Sequence, residues 1–369
     1  MSREWLFIQA NDVLMFRDSR PFAAGQSFKA RSMFPPTPRT MQGVLRSHYL
    51  EVRGIDWRAF AQRKVAPDIL RAIGGPDDLG ELRLVGPFVA QERGEKITRL
   101  VRAPLDLFQP KGEAAARKPV ILVPEKEPSF KTNVPFEGWR PLRASAQADM
   151  TQYESATGWL DEKGLAAYLR GLPPEEIICD QALFEREERV GIGLNKRRTT
   201  QRSLFYEAQF VRPQANTGLL VEVNAGLFPE AQGIIALGGE GRSGQYRKVS
   251  YEPSDSKPPK ASEGRVKVVL LTPAYFSGGW QPADGDWSPW LGAKARLISL
   301  AIGKPLLISG WDLARKTPRA LHHYLPAGSV FFFEDAQVPD KPFTETPPDS
   351  PDAGAMGFGV IAAGNWDYL

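Results

Sequence analysis

Apolar residues in this chain come mostly in short runs of strand length separated by turn residues, and only a few segments carry the wider spacing of an amphipathic helix. That rhythm limits the fold more than any single motif does. "WLFIQANDVLMF", Trp5 to Phe16, reads as an opening strand or strand pair. "TPRTMQGVLRSHYLEV" follows as a helix, with Thr37 suited to the N-cap and Pro38 to the first turn. Met41, Val44, Leu45, His48, Tyr49 and Val52 make one apolar stripe along it, and Arg39, Gly43 and Arg46 lie on the other face. Short helices are expected near Trp57 to Lys64 and Pro67 to Ile73, then a strand pair beginning at Glu81 and Ile97. Gln109 to Met150, rich in proline and charge, reads as a mostly irregular insertion around the strand-like run "PVILVP".

"GWLDEKGLAAYLRGL" predicts a further helix, closed by Pro173 and Pro174. Arg186 to Arg212, "REERVGIGLNKRRTTQRSLFYEAQFVR", predicts two strands joined by a basic tip from Asn195 to Ser203. "EPSDSKPPKASEG" reads as a linker into a second set of strands, in which "VPDKPFTETPPDSPDAG" is expected to be a mobile loop. Hairpins between the strands, with no parallel strand–helix repeat, predict an α+β fold rather than a doubly wound sheet. Two ferredoxin-like (RRM-like) units in tandem, with insertions and a projecting β-hairpin, fit that order. The expected domains are 1–252, carrying the insertions and the basic hairpin, a linker over 253–264, and 265–369 with a glycine-rich loop.

At 369 residues and 42% apolar content the chain can bury a large core. It has no run of ~18 apolar residues, and its N-terminal apolar stretch is too short for a secretory signal, so a cytoplasmic protein without a membrane segment is expected. The single cysteine, Cys179, excludes an internal disulfide and a multi-cysteine zinc site; with only three histidines, neither a metal nor a cofactor is expected. A net charge of +4 says little by itself. Its distribution says more, because Arg189 to Arg202 is basic without an acid whereas Asp335 to Leu369 is acidic with one lysine.

No phosphate-binding loop, zinc-protease motif or nucleophile elbow is present. His48 is the one histidine near the basic N-terminal segment and could serve as the base of a metal-independent ribonuclease, although its place on the apolar stripe equally fits a packed ring. His322 and His323 are adjacent, so their side chains diverge. Binding fits the residues better than catalysis. The helix start at Thr37, with Arg39 and Arg46 beyond it, reads as a phosphate-binding ridge, and Gly43 invites close approach to the backbone or tight helix packing. "NKRRTTQR" at the hairpin tip has the mixture of cations, hydroxyls and amides that grips a sugar-phosphate backbone, with Phe205 or Tyr206 available to stack on a base. "GGEGRSGQYRK" and "GAMGFGVIAAG" are glycine-rich loops that would let an extended RNA strand pass closely.

Together "FRDSRPF", "FPPTPRTMQGVLRS", "RVGIGLNKRRTTQRSLF", "ALGGEGR", "GWDLARKTPRALHHYLPAGSVFFFE" and "GFGVIAAGNW" resemble, in order and from Phe16 to Trp366, the third subunit of type III-B (Cmr) CRISPR effector complexes, in the RAMP superfamily. The resemblance implies a non-catalytic subunit that grips the repeat-derived 5′ tag of the CRISPR RNA. It also implies that the subunit joins the large signalling subunit to the first backbone subunit and meets target RNA only indirectly. Carried onto this chain, it implies RNA contacts at Thr40, Gly43 and Arg46, at Lys196, Arg197, Arg198 and Arg202, at Gly239 and Arg242, and at Gly357 and Gly359. Arg17, Arg20 and Arg39 are added from the basic N-terminal segment, in which Asp18 is expected to pair with an arginine. The rival reading within the superfamily is a CRISPR RNA processing endoribonuclease using His48.

Overall fold

The computed structural model describes residues 3–19, 29–112, 117–127, 138–146, 148–194, 200–224, 226–253, 264–312 and 316–369, with the backbone alone at 193–194 and 200–205. Its centre is a seven-stranded antiparallel sheet in the order Gln232–Ala236, Ser243–Val249, Arg3–Ala10, Thr217–Asn224, Leu84–Arg93, Lys96–Arg102 and Trp159–Leu160. The opening strand lies inside it and is buried on both sides, which explains a continuous apolar run instead of an alternating one. Leu6 and Ile8 point to one face and Trp5 and Phe7 to the other, each into its own apolar cluster.

The first helix, Pro38–Val52, covers one face. Thr37 caps it by accepting from the Thr40 amide, Pro38 occupies the first turn, and Met41, Val44, Leu45, His48 and Tyr49 are buried as the stripe predicts. Val52, the last position of the stripe, is 48% exposed. A second helix, Glu162–Leu169, covers the other face; Asp161 caps it, accepting from the Gly164 amide at 2.7 Å. It lies between the large sheet and a four-stranded antiparallel sheet ordered Arg296–Ala301, Val330–Glu334, Val266–Leu270 and Ile361–Gly364. Gly364 permits that approach, since a Cβ there would sit 2.5 Å from the Leu169 carbonyl oxygen.

Phe7, Phe88 and Leu220 from the first sheet therefore share one apolar cluster with Val269 and Phe332 from the second and with Trp366 just beyond its last strand. The same contact contains charge. The Tyr168 hydroxyl reaches both carboxylate oxygens of Asp106, at 2.6 and 2.7 Å, and Lys267 donates to the Tyr168 carbonyl at 3.1 Å. Burial pushes Asp106 up to about 6 and Lys267 down to about 8, each opposed by the other's charge.

Two expectations change. Gln109 to Met150 is more regular than expected, because Leu107–Pro110, Val120–Pro124, Leu142–Ala144 and Tyr153–Ser155 pair as a small antiparallel sheet. The proline-rich stretch after Val338 forms no helix or strand, yet it is packed down: Phe343 is fully buried, its amide donates to Gly359 at 2.7 Å, and Ser350 accepts from Arg39 at 2.9 Å. The expected hairpin forms from Phe184–Leu194 and Thr200–Pro213, paired antiparallel from Phe184 and Pro213 outward, with Lys29–Ala30 added parallel to the second strand. Most of the expected linker, 254–263, lies outside the described residues.

Candidate nucleic-acid interface

A cleft of about 620 Å³ opens where the turn before the first helix meets the base of the hairpin. Its walls are apolar, from Phe34 to Pro38, Pro87 to Val89, Leu100, Val101 and Trp159 of the first half, and Leu271, Pro273 and Pro326 of the second. Lys29, Arg31, Arg102 and Arg186 line it as cations and Asp18 as an acid. Their charges are not equally available. Lys29 is held between Glu188 and Glu207, and Arg102 donates to Asp180 at 3.0 Å with its guanidinium 3.9 Å from the centre of the Trp159 ring. Arg186 instead donates to two neutral oxygens, the Ser32 carbonyl and the Gln209 side chain, both at 3.0 Å. That fixes its guanidinium, with no ion pair to a carboxylate among the described residues, and Arg31 is exposed on the same cleft.

Backbone pairing shapes the mouth. The Asp18 amide donates to the Arg31 carbonyl at 3.0 Å and the Met33 amide to Phe16 at 2.8 Å, with a bridge between Arg17 and Ser32. These bonds clasp the base of the basic N-terminal loop and hold exposed Arg17 beside the cleft. Arg20, further along that loop, lies outside the described residues.

The expected phosphate ridge on the first helix is not there. Pro38 has no amide hydrogen, the Thr40 amide donates to the Thr37 hydroxyl at 3.2 Å, and the Met41 amide donates to the Thr37 carbonyl at 3.0 Å, so Thr40 serves the cap and little of the helix start is left for an anion. Arg39 runs across to the second half, past Gly310 to Ser350. Arg46 is turned inward: it donates to the Gly75 carbonyl and sits 5.3 Å from the Phe60 ring centre, and burial pushes it down to about 10. Long flexible stems let both arginines fold onto protein, which helical spacing cannot show. Gly43 keeps its interest, because among the described residues no atom beyond its own helix backbone and chain neighbours lies within 4 Å of the position its Cβ would occupy; tight packing against them is not what requires glycine there.

A second cluster forms on the opposite face of the hairpin base. The Gly239 amide donates to the Met15 carbonyl at 2.8 Å, seating the glycine turn so that Arg242 reaches Asp12 at 3.3 Å and lies 5.1 Å from the Phe210 ring centre. Arg189 lies 4.8 Å from the same centre, and Arg212 donates to Asp12 at 2.9 Å and Glu187 at 2.8 Å. Arg189 also bonds Glu187, at 2.6 Å. Hydrogen bonds from Arg212 first hold both carboxylates below their usual range, with Arg189 adding to this at Glu187. Three guanidiniums thus share Asp12 and Glu187, and Glu185 lies on the same face, directly opposite Arg212.

Gly357 and Gly359 do not open a groove. Both are buried with positive φ, 92° and 67°, and their Cβ atoms would lie 2.6 Å from the Gly86 carbonyl oxygen and 2.8 Å from the Phe343 backbone. These glycines bring the C-terminal loop against its own protein, behind the cleft wall at Pro87 and Thr272, whose hydroxyl donates to the Gly357 carbonyl at 2.7 Å. His48 is a packed ring, 6% exposed, stacked on Phe228 at 5.0 Å and edge-on to Tyr246 at 5.1 Å, and burial lowers its pKa. His322 and His323 diverge on the strand His322–Tyr324, His322 towards Asp349 at 2.5 Å and His323 to solvent.

Lys196, Arg197 and Arg198 lie outside the described residues, as does the Arg202 side chain. The sequence reading missed Arg186, Arg189, Arg212 and Trp159. Strand alternation could have separated Arg186 from Arg189 by face, but only the fold shows what each face meets.

No curated protein matches the chain. Two cryo-EM structures of type III-B Cmr-beta, one bound to cognate target RNA and AMPPnP and the other to cognate target RNA, each contain a chain that matches 89% of this one over 86% of its own length, with 16% identity and a TM-score of 0.51. A chain of the Csm1-Csm4 cassette in complex with AMPPNP aligns at 10% identity over 100% of this chain and 97% of its own, with a TM-score of 0.35. The first two show a shared β-rich α+β fold. Residues 6–366 match the family described as CRISPR-associated protein (Cas_Cmr3), nearly the whole length, and the chain belongs to that family.

Proposed function

We propose that this chain is a non-catalytic, RNA-binding subunit of a type III-B RNA-guided effector complex, in the third-subunit position. Each half is read as a ferredoxin-like unit, and the surface between them and the hairpin is read as the grip on the 5′ tag of the CRISPR RNA. The large signalling subunit and the first backbone subunit are its protein neighbours in this reading. Target RNA is met indirectly, through the guide.

One observation carries the proposal: Arg186 is fixed by neutral oxygens at the mouth of an apolar cleft and is ion-paired to no carboxylate among the described residues, which suits it to a phosphate while apolar walls accept a base. Family membership and the RNA-bound Cmr-beta structures support the same reading. Crosslinking a reconstituted complex to RNA labelled in its 5′ tag tests it. Adducts on the cleft and hairpin are expected, and adducts confined to other subunits would discard it. Incubating the isolated chain with repeat RNA in EDTA tests the non-catalytic part; cleavage lost on His48→Ala would make the chain a nuclease.

A further inference from the structure

Arg102 ends the strand Lys96–Arg102 and lies directly opposite Trp159 of the strand Trp159–Leu160. Directly opposite residues of an antiparallel pair share a face, so the register itself sets the guanidinium over the indole, 3.9 Å from the ring centre. A further bridge ties Trp159 to Ile178, which brings Asp180 to the same place. One carboxylate oxygen of Asp180 accepts from Arg102 at 3.0 Å and from Trp159 Nε1 at 2.7 Å. The planar group is thus backed by a buried ring and held along one edge, with little freedom left to lose on binding. Its side chain is still 31% exposed, and it lines the cleft.

The arginines of the cleft are held for different ends. Arg186 is fixed by neutral oxygens, and neither it nor Arg31 is ion-paired to a carboxylate among the described residues. Arg102 is the reverse: its charge is met by Asp180, and what it offers the cleft is a flat surface fixed in place. The two kinds lie close together, since after burial the like charge of Arg186 also lowers the pKa of Arg102, against the pull of Asp180. Between apolar walls, that pairing matches a nucleotide, whose base stacks on a planar group while its phosphate takes a cation.

We propose that Arg102, laid on Trp159, is the stacking surface for one unpaired nucleobase inside the cleft, with Arg186 and Arg31 receiving the adjoining phosphates. This rests on the RNA-binding reading above and names the residue that takes the base. A clasp that only ties the strand Lys96–Arg102 to Asp180 would have the same geometry, so the test separates stacking from clasping.

The full-length chain is titrated with single-stranded RNA carrying the repeat-derived 5′ tag, intact or with one abasic position at a time. In wild type, loss of the stacked base should cost about tenfold in affinity at one position. Arg102→Lys keeps the charge and loses the plane. It should bind intact RNA about tenfold more weakly with an unchanged salt slope, and the abasic site at that position should cost it nothing more. Asp180→Asn keeps an acceptor for both side chains and leaves the plane on its ring, so it should show the wild-type loss at the same position. Binding by Arg102→Lys that tracks wild type, whether equal to it or weaker by one factor across all the oligonucleotides, would overturn the stack and leave the RNA-binding reading standing. So would an Asp180→Asn variant that behaves as Arg102→Lys does, because the clasp alone would then account for both. A wild-type chain that binds no RNA would overturn both readings.

Discussion

The Lys267 ammonium lies 3.8 Å from the centre of the Tyr168 ring, and through Tyr168 it is tied to Asp106, so a cation of the C-terminal sheet ends inside the N-terminal half. All three side chains are buried, and removing one partner strands the others. Lys267→Met should destabilise the protein by about 3 to 5 kcal/mol, and adding Asp106→Leu should recover part of that loss. Urea unfolding of the single and double variants gives the coupling, and strict additivity would show that the pair is energetically independent.

The same pair sets a pH dependence. Asp106 is raised from 3.8 to about 6 by folding, so its contribution is full below the unfolded value and is lost as pH rises through about 6. Lys267 is lowered from 10.5 to about 8, so its contribution is full above the unfolded value and is lost as pH falls through about 8. Stability measured from pH 4 to 7 should fall less steeply in Asp106→Asn than in wild type, and parallel curves would remove Asp106 as the cause.

Arg186 and Arg46 should respond oppositely, although both belong to arginine-rich stretches. Arg186→Gln should weaken binding to single-stranded RNA and reduce the salt slope by about 0.7 on a log-log plot, with little change in melting. Arg46→Met should leave binding alone and cost about 1 to 3 kcal/mol, because the Gly75 carbonyl loses its donor. Paired affinity and melting measurements decide it; a lower salt slope in Arg46→Met would return that residue to the interface.

Gly43 and Gly357 form a second contrast. Gly43→Ala meets open space inside a helix and should stabilise the chain by about 1 kcal/mol, while weakening RNA binding if the strand crosses that surface. Gly357→Ala should destabilise, since its φ is 92° and its Cβ would overlap the Gly86 carbonyl oxygen. Thermal melting that shifts the same way for both would contradict this assignment.

Local signals were legible where the chain's own chemistry decides the outcome. Thr37 and Pro38 start a helix because a hydroxyl and a missing amide hydrogen suit that end of any helix, and the stripe from Met41 to Tyr49 is buried because its period matches the helical turn. The hairpin from Arg186 to Arg212 was readable for the same reason, as were the family blocks from Phe16 to Trp366.

Side-chain destinations were not legible. Arg39 and Arg46 are spaced as a ridge, yet each ends on a carbonyl or hydroxyl brought in from another part of the chain, because a long flexible stem lets the guanidinium reach acceptors that helical spacing does not reveal. Gly357 and Gly359 look like an open loop in sequence and are packing positions in space. Sequence by itself determined the elements, the packed side of the first helix and the basic character of the hairpin, all set by contacts between near neighbours in the chain. Only the tertiary structure decided that the two halves share a core across Tyr168 and that Arg186, Arg31 and Trp159 meet at one cleft, because those contacts join residues far apart in the chain.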